Sequence, residues 1–103
     1  MTPEKKVKKI VTDELKSRGI YYFYPVSGGY GSSGVPDIIC CYRGFFVAFE
    51  CKAGKNKTTA LQEKNIDAII DNGGIAMVVT DRDPLGVVRT VLGFIDSQEK
   101  LKQ

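Results

Sequence analysis

Three polar residues in the stretch from Val35 to Lys52 stand where an apolar core is expected. Asp37 opens one strand-like run, and Glu50 and Lys52 lie near the end of the next. Side chains alternate faces along a strand, so Glu50 and Lys52 project the same way, one pleat apart. Arg43-Gly44 reads as the turn between the two runs. A two-residue or four-residue loop places Asp37 directly opposite Glu50, whereas a three-residue loop would send Glu50 to the other face. In the favoured register the two Cβ atoms lie roughly 5 Å apart. Buried like charges at that distance are costly, and a divalent cation between them removes the conflict. Hard oxygen ligands suit Mg²⁺ or Mn²⁺, which keep several waters for chemistry. Asp37 and Glu50 are the expected ligands, helped by the backbone carbonyl of Cys51. The ion lowers the pKa of bound water and neutralises a phosphoryl oxygen. Lys52 beside it positions or helps deprotonate the attacking water and stabilises the pentavalent transition state. A surface salt bridge is the plainer role for Lys52, but a mostly apolar strand disfavours it.

These residues need a scaffold, and the chain spells one. Thr2-Pro3-Glu4 opens a helix with a cap, a proline at the first helical position and an acid in the first turn. Val7, Ile10, Val11 and Leu15 form its apolar stripe, and Gly19 stops it. At about 100° per residue, Glu14 falls inside that stripe, which makes it a third candidate ligand. A helix-end acid reaching out to solvent is the simpler alternative. Ile20 to Val26 reads as an aromatic-rich strand ended by proline. Strands follow at about 35–42 and 45–52. Thr58 to Gly74 is a second helix with a threonine cap and a glycine stop. Gln62 and Asn65 lie on its Leu61–Ile69 side, where polar groups need partners. Ile75 to Thr80 reads as a buried strand. Asp83-Pro84 caps a third helix with a Val88, Val91, Leu92 and Ile95 stripe and a polar tail. The order α-β-β-β-α-β-α predicts an α/β fold: one domain over 1–103, a mixed central sheet flanked by helices.

Composition narrows the chemistry. The 103 residues include no histidine, which removes Ser-His and Cys-His nucleophiles and the H-E-x-x-H zinc site. Three cysteines without a C-x-x-C, two of them adjacent at Cys40 and Cys41, read as small buried hydrophobes in a reducing compartment. No apolar run reaches bilayer length and the N-terminus lacks a signal-peptide core, so a soluble cytoplasmic protein without membrane association is expected. Net charge is +3, but residues 1–60 hold ten Lys or Arg against five Asp or Glu. That half suits a polyanion. Gly29, Gly31 and Gly34 make a literal G-x-G-x-x-G. "VPDII" follows it rather than a helix, so the dinucleotide reading fails and no organic cofactor is expected. A loop that lets another backbone or a ligand come close fits better.

"VPD", twelve residues, then "ECK" resembles the PD…(D/E)xK nuclease motif, and the element order matches the restriction-endonuclease-like αβββαβ core of that superfamily. The glycine before "VPD", the apolar strand before "ECK" and "TTALQ" (Thr58 to Gln62) extend the likeness to the virus-type replication-repair nuclease (VRR-NUC) domain over nearly the whole chain. The resemblance implies a metal-dependent phosphodiesterase on DNA with Glu14, Asp37, Glu50, Lys52 and Gln62 at matching positions. Stand-alone phage and bacterial members are similar to Holliday junction resolvases, which implies a homodimer nicking branched DNA in replication, recombination or repair. Lys5, Lys8, Lys9, Lys55 and Lys57, with Tyr30 in the glycine-rich loop, are the expected contacts to the DNA backbone, favouring shape over sequence. Two rival readings stand beside this one: a binding or assembly module that keeps the fold without cutting, and a restriction-type endonuclease preferring a short duplex sequence.

Overall fold

The computed structural model describes residues 1–26 and 33–102. Helix α1 (Pro3–Ser17) starts as its sequence dictates, with the Thr2 hydroxyl accepting from the Lys5 N–H. Three strands run as a meander, β1 (Tyr21–Phe23), β2 (Ile38–Tyr42) and β3 (Phe45–Cys51). Helix α2 (Ala60–Asp71) crosses over to β4 (Ile75–Val79), and α3 (Pro84–Lys102) follows. The sheet order is β1-β2-β3-β4, antiparallel except for the parallel β3–β4 pair. The expected mixed sheet flanked by helices is what forms.

The β2–β3 turn is two residues long. Arg43 and Gly44 both take positive φ, 50° and 84°, the geometry that suits a right-twisted hairpin. Tyr42 pairs with Phe45 and Ile38 with Phe49. Alternation then sorts β3 by face. Val47, Phe49 and Cys51 join the core made with Val7, Val11 and Leu15 of α1 and Val88, Val91, Leu92 and Ile95 of α3. Ala48 packs on the other face with Ile39, Ala76 and Ile66, beneath α2. Glu50 shares that second face.

Several boundaries differ from the sequence expectation. β1 ends at Phe23 rather than Val26, because Tyr24 leaves the ladder and its hydroxyl bonds to Thr12 of α1, with Pro25 next. β4 is not buried throughout: it is an edge strand, and Met77 and Val78 are partly open to solvent. Ile10 of the α1 stripe is exposed. The polar tail continues α3 as helix to Lys102. Among the described residues, no helix is long and apolar enough to cross a membrane.

Candidate active site

Carrying the β2–β3 register one step beyond Ile38 and Phe49 sets Asp37 across from Glu50, as the loop parity required. The approach to Asp37 is built by a glycine. Gly34 has φ +78°, and a Cβ there would sit 2.6 Å from the backbone carbon of Leu61 in α2. Asn65 adds a bond to the Ser33 carbonyl, 3.1 Å, tying the same segment to α2. At Gly34 the anticipated close approach is to another backbone; Gly29 and Gly31 lie outside the described residues. Pro36 is buried, and Asp37 Oδ2 then accepts from the Cys51 N–H at 2.8 Å, which locks the carboxylate to the end of β3.

Glu50 is oriented from the opposite side by a helix cap. The Thr59 hydroxyl accepts from the Gln62 N–H, and Gln62 Oε1 accepts from the Thr59 N–H, a complete capping box. With its oxygen so engaged, the Gln62 amide must turn its NH₂ inward, where Nε2 donates to Glu50 Oε2 at 3.1 Å. Lys52 Nζ lies 3.6 Å from the same oxygen and is itself largely buried. The other oxygen, Glu50 Oε1, is buried with no hydrogen-bond partner among the described residues. Glu50 is only 3% exposed. Burial pushes its carboxyl up to about 7, the neighbouring charge of Asp37 adds to that, and Lys52 opposes both.

An orphaned, buried carboxylate oxygen beside a second carboxylate is the donor set a hard divalent cation takes. Asp37 and Glu50 fit such an ion. No cluster of three or more His, Cys, Asp or Glu occurs among the described residues, so backbone oxygen and water would complete the coordination. Glu14 does not join it. Its carboxylate is held at the α1–α3 junction by Arg18 at 3.0 Å and Arg89 at 3.1 Å, and those cations keep its pKa low. The stripe angle that suggested Glu14 was sound, but α3 covers that flank of the helix.

What α1 does supply is Lys8, whose Nζ lies 3.3 Å from Asp37 Oδ1. From sequence Lys8 is expected only as a contact to the DNA backbone, and the structure sets it against Asp37 as well. Glu4, one turn earlier on the same face, reads from sequence only as a first-turn acid. It accepts from Asn56 at 3.5 Å, and it adds to the burial, Asp37 and Glu50 that push the Cys51 thiol up to about 12. The i,i+4 spacing of Glu4 and Lys8 was the available signal. Lys5, Lys8 and Lys9 line one groove with Asp37 at its edge. Lys55 and Lys57 are exposed on the β3–α2 connection, outside that lining, and Tyr30 lies outside the described residues.

Comparison with known proteins meets this geometry. The family model "Archaeal Holliday junction resolvase (Hjc)" matches residues 5–77, which hold Lys8, Asp37, Glu50, Lys52 and Gln62. The chain belongs to the Hjc family. Helix α3 lies beyond the matched stretch. An Hjc-family fold is also what solved structures return. A VRR_NUC domain protein superposes with a TM-score of 0.67 at 19% identity, covering 92% of this chain and 86% of its own. Hjc from Archaeoglobus fulgidus, described as a Holliday junction resolvase from an archaeal hyperthermophile, superposes with a TM-score of 0.56 at 19% identity, covering 74% and 66%. No curated protein matches the chain. The VRR-NUC likeness and the restriction-endonuclease-like fold both hold, within a family of nucleases.

Proposed function

We propose that this chain is a Mg²⁺- or Mn²⁺-dependent endonuclease that hydrolyses phosphodiester bonds at branched DNA, Holliday junctions foremost. The observation that carries the reading is Glu50 Oε1, buried and unpartnered beside Asp37, with Lys52 on the same carboxylate. A module that only bound DNA would have no use for that unsatisfied oxygen, and removing it would stabilise the fold. Asp37 and Glu50 would hold the cation, with the Cys51 carbonyl as a further ligand. The bound ion supplies an acidified water and charge neutralisation at the phosphoryl group.

The protein groups divide the remaining work. The Cys51 N–H and Lys8 hold Asp37 in place, and the Gln62 NH₂ holds Glu50. Lys52 Nζ, on a largely buried side chain beside Glu50, orients the nucleophile and balances negative charge as it grows on the phosphoryl oxygens. Family membership supports a junction as substrate. Resolving a four-way junction needs two nicks, so a second copy of the chain belongs to the reading. The exposed aromatics Tyr21, Phe23 and Phe46 of the sheet are available to such a partner.

The test is cleavage of labelled four-way junction, flap, single-stranded and linear duplex DNA, with and without Mg²⁺ or Mn²⁺. Cation-dependent nicking of branched substrates, abolished by Glu50→Gln and by Lys52→Met, is expected. Tight junction binding without any product, unchanged by Glu50→Ala, would replace the enzyme with the binding module. Discrete bands from linear plasmid would indicate the restriction-type activity instead.

A further inference from the structure

Beside Asp37 lies a groove of about 560 Å³ between α1 and the chain leaving β1. One wall carries Lys5, Lys8, Lys9 and Lys16, and the other carries Tyr22 and Tyr24. Lys5 and Lys16 are three helical turns apart on α1, about 16 Å along its axis. The aromatic wall is held rigidly. Tyr22 and Tyr24 meet edge to face at 6.1 Å, and the Tyr24 hydroxyl bonds to the buried Thr12 hydroxyl at 3.1 Å. The Tyr24 side chain is nevertheless open, with the residue 52% exposed. One countercharge faces the groove besides Asp37: Asp13 pairs with Lys9 at 2.7 Å.

Cations alone would serve any duplex backbone. Aromatic rings add nothing there, because stacked base pairs offer a protein no free base face, whereas an unpaired base stacks on a ring. We propose that this groove takes an unpaired stretch of DNA strand. The lysines follow its phosphates and a base stacks on Tyr24 next to the phosphate presented to Asp37. This inference rests on the nuclease reading and names what that site selects: a strand that has left its duplex, as at a branch point. Tyr24 is then a specificity residue and takes no part in the chemistry.

The experiment is binding in EDTA, so that it does not depend on cleavage. Fluorescein-labelled 12-mer oligo(dT), a blunt duplex of equal length, and a junction carrying 2-aminopurine at the branch are titrated with the full chain, with Tyr24→Ala and with Tyr24→Phe. Single strand should bind about ten-fold tighter than duplex, and Tyr24→Ala should weaken single-strand binding about ten-fold while leaving duplex binding alone. Tyr24→Phe keeps the ring and should keep the affinity. Quenching of 2-aminopurine by the full chain and by Tyr24→Phe, lost in Tyr24→Ala, marks the stack itself. Equal affinity for duplex and single strand overturns the proposal, as does a Tyr24→Ala variant that melts like the parent and binds single strand unchanged. Single-strand binding that depends on Tyr24 in a chain that never cuts supports the groove and removes only the nuclease reading.

Discussion

Replacing Glu50 by Gln should make the protein more stable and inactive. Glu50 is buried, and its carboxyl is raised from 4.5 to about 7, by burial first and by Asp37 second, with Lys52 opposing. Below pH 4.5 the group is protonated in folded and unfolded chains alike and contributes no pH dependence. Between pH 4.5 and about 7 the unfolded chain releases this proton while the folded chain keeps it, so rising pH favours unfolding. The loss runs at about 1.4 kcal/mol per pH unit, roughly 3 kcal/mol by pH 7.5. Glu14 has the opposite sign, since its pKa is depressed, and its contribution is lost only as pH falls below the ordinary carboxylate value, outside this window. Glu50→Gln conserves volume and leaves an oxygen for Gln62 and Lys52, but it cannot ionise. Urea denaturation in EDTA at pH 5 and pH 7.5 separates the cases. The parent midpoint should fall between the two pH values, the variant midpoint should stay, and at pH 7.5 the variant should be about 3 kcal/mol the more stable. Magnesium should then raise the parent's stability at pH 7.5 and leave the variant unmoved. A variant less stable than the parent at pH 7.5, or one keeping the parent's pH slope, would refute the claim that Glu50 is held as a strained buried acid.

Other perturbations test separate joints of the site. Gly34→Ala meets both a positive φ and the Leu61 backbone, and should cost about 2–4 kcal/mol by thermal melting, with cation affinity falling as Asp37 shifts. Gln62→Leu removes one half of the α2 capping box and the Glu50 donor, and should cost about 1–3 kcal/mol by thermal melting and most of the rate of junction cleavage. Lys52→Met should abolish cutting while junction affinity in EDTA changes less than about three-fold, since one phosphate contact at most is lost. Native protein should show one fast thiol toward a disulfide reagent, the exposed Cys41. Cys40 and Cys51 are buried with thiols pushed up to about 12 and should react only on unfolding.

Much of this protein was legible one segment at a time. Helix α1 begins at its Thr2-Pro3 signal because a cap and a pre-set φ act within one turn of chain. The Arg43-Gly44 turn decided the hairpin register, and the register alone decided that Asp37 faces Glu50, since pleat alternation leaves no freedom once the turn length is known. The same alternation put Lys52 beside Glu50. These are local rules, and the sequence sufficed for them.

Tertiary structure decided what the helices bring. A helical stripe is about 100° wide or more, and sequence periodicity cannot say how far the helix is turned or slid upon the sheet. Packing of α1 between sheet and α3 sends Glu14 to Arg89 and turns Lys8 to Asp37 instead. Strand order likewise made β4 an edge, so a run that reads as buried keeps Met77 and Val78 open. The unsatisfied oxygen of Glu50 is the clearest case. Its residue type and face follow from sequence, but whether any donor reaches each carboxylate oxygen depends on α2 arriving from elsewhere in the chain to present Gln62 to one and nothing to the other.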